Sequence, residues 1–102
     1  MRTEIRNRVT MLKADVVAEV PASSADRRRW LMLRHVGPGD RVALVVAETP
    51  VDFDPDEYLS PEDVLAHAES QYADVDEAVA ALRADGVDTD TFDAPWKTDC
   101  PF

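Results

Sequence analysis

The sequence predicts an α+β fold: a three-stranded antiparallel sheet, with a short fourth strand allowed near the end, and two amphipathic helices packed on one face. Three observations lead there. Apolar and polar residues alternate before Pro21, two apolar runs flank Gly37-Pro38-Gly39-Asp40, and two helix-start signals stand at Ser60-Pro61-Glu62-Asp63 and Asp74-Val75-Asp76-Glu77. At 102 residues the chain has the size of one domain, so residues 1–102 are read as a single unit.

The first strand rests on Leu12, Ala14, Val16, Ala18 and Val20, which alternate with Lys13, Asp15, Val17 and Glu19 up to Pro21. Val9, Leu12, Val16 and Val20 also fit helical spacing; the valine content favours the strand. Residues 29–36 and 41–48 lie either side of the Gly/Pro turn and read as a β-hairpin. The second run is apolar on both faces over residues 42–47, which places it centrally in the sheet. For the first run a helix capped by Ser24 and stopped by Gly37 stays open as an alternative.

The first helix would start at Ser60, with Pro61 at its first position and Asp63 completing a capping box. Val64, Leu65, Ala68 and Tyr72 then share one face. The second would be capped at Asp74, buried along Val75, Val79 and Leu82, and stopped by Gly86. Residues 87–92 allow a last short strand. The expected core draws on Val16, Val42, Leu44, Val46, Leu65, Val79 and Leu82. Residues 95–102 read as an irregular tail, and the aromatics Phe92, Trp96 and Phe102 are expected to fold back onto the core, Trp96 closing one end, with docking elsewhere as the alternative.

Composition narrows the function classes. No apolar run approaches the roughly 18 residues of a membrane span, and no apolar stretch follows the charged Met1–Arg6 start, so the expectation is a cytoplasmic protein. A lone cysteine, Cys100, excludes an internal disulfide framework. The net charge is −10, from 14 Asp, 7 Glu, 9 Arg and 2 Lys. A carboxylate-rich, lysine-poor surface suits a high-salt cytoplasm or follows from high-GC coding. Neither explains why the charge is split: residues 1–48, the basic β-rich half, hold nine basic and six acidic side chains, while residues 49–102 hold two and fifteen. That second stretch comprises an acidic helical half over 49–94 and the tail.

Chemistry-bearing motifs are weak. Asp52, Asp54 and Asp56 alternate as in a calcium loop, but Glu57 stands where the turn requires glycine and Asp63 is too short for the closing bidentate ligand. Asp88, Asp90 and Asp93 are sparser still. His35, His67 and Cys100 offer no paired spacing for zinc, and carboxylates near Cys100 disfavour its thiolate. Gly37-Pro38-Gly39 is a turn, not a phosphate cradle. No metal, cofactor or catalytic group is expected.

Two surfaces remain. Arg27, Arg28, Arg29 and Trp30 could contact phosphates and stack on bases, against the repulsion of the acidic half. Glu62, Asp63, Glu69, Asp74, Asp76 and Glu77, with Glu57 and Asp85, would line the outer side of the two helices and could block a basic protein by occupying its anion site, in an inhibitor, antitoxin or immunity-like role. A non-enzymatic interaction protein with a basic protein partner is the first expectation. A nucleic-acid-associated protein, or a housekeeping domain whose acidity is salt adaptation, is the alternative. A homodimer through a sheet edge is compatible with either.

Overall fold

Ile5 and Val9 stand one helical turn apart in an otherwise polar segment, and they are the buried side of helix α1, Thr3–Thr10. A computed structural model describes residues 1–54 and 60–101. Lys13, in the left-handed region at φ 55°, turns the chain out of the helix. The strand expected from residue 12 therefore begins later, as β1, Val16–Val20, and Leu12 is 71% exposed. Two buried residues are too few for a periodic signal, which is why α1 is not evident in the sequence.

β2, Arg27–His35, and β3, Val42–Pro50, form the expected hairpin, paired from Arg27↔Pro50 to His35↔Val42. Gly37 and Gly39 both take positive φ in the turn, 62° and 83°, where a Cβ would be strained. Nine paired residues remove the helical alternative for the first run.

The first expected helix is a correction. The capping box forms: Ser60 Oγ and Ser60 N both donate to Asp63 Oδ2. Yet it starts only a single 3₁₀ turn, Pro61–Asp63, after which Val64 is extended and Leu65 N donates to the Glu48 carbonyl at 2.8 Å. The chain continues as β4, Ala66–Tyr72, antiparallel to β3. Local preference for helix over these residues loses to β3, whose second side requires a hydrogen-bonding partner.

The second expected helix is present as α2, Val75–Ala84. Asp74 caps it by accepting from Glu77 N at 2.8 Å, and Gly86 at φ 82° follows its end. Asp74→Ala should cost about 1 kcal/mol, read as a lower midpoint in denaturant unfolding with an unchanged slope. Residues 87–92 form no strand; Asp88 caps a 3₁₀ turn at Thr89–Thr91, and Phe92 is fully buried. Asp93 then makes an isolated antiparallel bridge to Val17.

The fold is thus α+β, a four-stranded antiparallel sheet in the order β1-β2-β3-β4 with two helices. Val16, Ala18, Leu31, Leu33, Val42 and Leu44 lie on one sheet face in register and cluster with Ile5, Val9, Val75, Ala78, Val79, Leu82 and Phe92. Val46 is partly buried against that cluster. Leu65, expected in the core, is 40% exposed because it precedes an edge strand and not a packed helix. Each Val or Leu fully buried here contributes about 1.5–3 kcal/mol. Trp96 does not close the core; it is 71% exposed, and the Arg8 guanidinium stacks on it 4.3 Å from the ring centre. Phe102 lies outside the described residues.

Candidate interaction surface

The partners of the arginines decide which surface is free. Glu48 on β3 is buried and is the hub of one end of the sheet. It accepts from Ser23 N and Ser23 Oγ, both at 2.8 Å, from Arg29 Nε at 3.0 Å and from Arg27 at 3.3 Å. The Ser23 backbone N–H, then its hydroxyl, then the two guanidinium groups hold the Glu48 carboxyl at about 2. Arg28 makes a bidentate pair with Glu19 at 2.7 and 2.8 Å and a longer one with Asp99, which lowers the Glu19 pKa through the hydrogen bond from Arg28. The same guanidinium covers the Trp30 ring at 4.7 Å, leaving that ring buried, with Nε1 donating to Thr49 Oγ1.

The other six arginines are also engaged. Arg6 pairs with Asp76, whose carboxyl is held low by that bond, and Arg2 with Glu4 and Asp93. Arg34 reaches Asp15. Arg8 donates to the Asp15 carbonyl, Arg41 to Gln71 and Arg83 to Thr89. The residues Arg27, Arg28, Arg29 and Trp30 are therefore split between the two sheet faces, Arg27 and Arg29 on Glu48 and Arg28 over Trp30 on the other; their donors point into the protein's own carboxylates and the aromatic face is covered.

The acidic residues are distributed differently from the sequence expectation, because a strand replaces the first helix. Glu62 and Asp63 lie in the 3₁₀ turn that leads into β4, Glu69 is in the middle of β4, and Asp74, Asp76 and Glu77 stand at the start of α2 just after β4 ends. They follow the β4 edge from one end to the other. Glu77 accepts from Ala73 N and Glu62 from Ser60 Oγ. Among the described residues, Glu62, Asp63, Glu69, Asp74 and Glu77 form no ion pair; Asp76 does. Glu57 lies outside the described residues, as do Pro55 and Asp56 of the calcium-like run.

β4 itself is exposed at every residue from Ala66 to Gln71, with Tyr72 half-buried. Ala66, Ala68 and Ser70 share one face; His67, Glu69 and Gln71 share the other. His67 and Glu69 form one wall of an open groove of about 290 Å³, floored by Trp30, Met32, Val45 and Ala47. A second cleft of about 270 Å³ lies beside the Arg6–Asp76 pair, and a shallow one of about 510 Å³ lies between Arg29, Val46 and Leu82. Among the described residues no three His, Cys, Asp or Glu side chains are grouped to hold a metal ion, and no helix is long and apolar enough to cross a membrane.

Sequence reasoning identified the carboxylates but not the strand that aligns them. No protein family, curated protein or solved structure matches the chain.

Proposed function

We propose that this chain is a non-enzymatic interaction protein that binds a basic protein partner through its acidic edge. The observation that supports this is the asymmetry of pairing: all nine arginines are engaged within the chain, while Glu62, Asp63, Glu69, Asp74 and Glu77 pair with no cation of the described residues. The arginines thus bond within the chain, and these five carboxylates, in β4 and at its two ends, are left without a cation partner among the described residues. Such a field steers an oppositely charged partner and disfavours a polyanion. The nucleic-acid reading has less support, because the Trp30 ring is covered by Arg28.

The test compares wild type with the triple variant Glu62→Gln, Glu69→Gln, Glu77→Gln, which keeps the side-chain acceptors that Ser60 Oγ and Ala73 N use. Immobilised wild type should retain basic polypeptides from lysate at low salt and release them as salt rises, and the variant should lose most of that capture. Capture of the same proteins by both would overturn the reading. So would a wild type that folds, by circular dichroism, only in molar potassium chloride, since the acidity would then serve the medium.

A further inference from the structure

We propose that β4 is the docking edge itself, and that an extended, basic segment of the partner adds to the sheet as a fifth strand alongside it. This rests on the reading above and specifies how the partner is held. The two edges of the sheet are treated differently. At the β1 edge the chain closes on itself: Val17 N donates to the Asp93 carbonyl and Asp93 N to the Val17 carbonyl, both at 2.9 Å. At the other edge no described strand lies beyond β4. An edge strand directs alternate N–H and C=O groups outward, a template for another strand.

Folded proteins blunt such edges with short strands, proline, a bulge or charged side chains, lysine above all. Of these β4 has a single charge. Its seven residues pair with β3 in unbroken register from Val42↔Tyr72 to Glu48↔Ala66, without Pro, Lys or Gly. Its one carboxylate is Glu69, at the centre. Ala66, Ala68 and Ser70 leave a low shelf on the other face, which accepts large side chains from a neighbouring strand.

Charge selects the occupant. A second copy pairing antiparallel about Glu69 would set Glu69 against Glu69 and bring the Glu62–Asp63 end of one chain beside the Asp74–Glu77 end of the other, in a chain of net charge −10. Like charges directly opposite are unfavourable across strands. A strand with Lys or Arg at alternate positions instead places a cation beside Glu69 and others near the carboxylates at both ends. Backbone pairing supplies the affinity and the alternate side chains supply the selection.

The test is a titration of the full chain with a Lys-Val alternating heptapeptide and with its fully N-methylated counterpart, which keeps the charges and side chains but cannot donate from its backbone. The unmodified peptide should bind, slow hydrogen exchange at β4 amides, and lose at least tenfold in affinity on Glu69→Lys. N-methylation should weaken binding at least tenfold. Equal binding of both peptides, with the same salt dependence, would overturn strand addition while leaving the acidic-partner reading intact. If neither peptide binds at low salt, both fall. A concentration-dependent dimer with β4 protected in the absence of peptide would make a second copy the occupant and overturn the proposal.

Discussion

Glu48→Ala should lower the melting temperature by on the order of 10 °C, although the Glu48 carboxylate bonds none of the residues assigned to a partner. Glu48 is 2% exposed, and its two carboxylate oxygens take four donors: Ser23 N, Ser23 Oγ, Arg27 and Arg29. Alanine leaves two neighbouring guanidinium groups without their counterion and the Ser23 N–H without its acceptor, and unpaired groups cost more than the bond they lose. Glu48→Gln keeps the shape and part of the Ser23 bonding, so it should fall between.

The same cluster sets an acid limit. The folded carboxyl titrates at about 2, below its ordinary 4.5, so the folded state binds fewer protons than the unfolded chain between those values. Its contribution is fully present above pH 4.5 and is lost as the pH falls toward 2. Glu19 beside Arg28 and Asp76 beside Arg6 are shifted the same way and add to the decline. Denaturant midpoints measured from pH 6 to pH 2 should therefore fall less steeply in Glu48→Gln than in wild type. Parallel curves would mean that the Glu48 carboxylate is not part of the acid sensitivity.

Where the sequence was legible, local and tertiary preferences agree. Asp74, the Val75–Val79–Leu82 stripe and Gly86 mark the start, buried face and end of α2 within one short segment, and the Gly37–Gly39 turn needs only its own positive φ values. β4 is the opposite case. Ser60, Pro61 and Asp63 obey the helix-start rules, and the capping box exists, but a cap cannot extend a helix when the following residues are claimed by β3. Because β4 is exposed on both faces, it lacks the alternation of large apolar residues by which a strand is recognised. α1 is not evident for a related reason: two buried residues carry no period, whereas Phe92 does fold back onto the core as expected.

The charge split was readable by counting, and its meaning was not. Several of the pairs that absorb the arginines join residues far apart in the chain: Arg29 and Glu48 by 19 positions, Arg27 and Glu48 by 21, Arg6 and Asp76 by 70. Only the sheet register brings Arg29 opposite Glu48. The residual acidic edge is therefore a property of the fold, although every residue in it is visible in the sequence.

Phe92→Ala should be the most damaging single core substitution, costing about 3–5 kcal/mol. Phe92 is the largest fully buried side chain, and it belongs to the cluster formed by α1, α2 and the apolar sheet face. Its position gives the loss a second consequence. The next residue, Asp93, makes the two bonds to Val17 that close the β1 edge, and Arg2 reaches back to both the Phe92 carbonyl and the Asp93 carboxylate. Once the ring no longer anchors this segment, the bridge loses its largest buried neighbour, and the sheet gains a second open edge. Hydrogen exchange at the Val17 and Asp93 amides should then quicken beyond the global loss of stability, with concentration-dependent association on size exclusion. If those amides exchange at the global unfolding rate of the variant, the edge is closed by the bridge itself, and Phe92 serves only to fill the core.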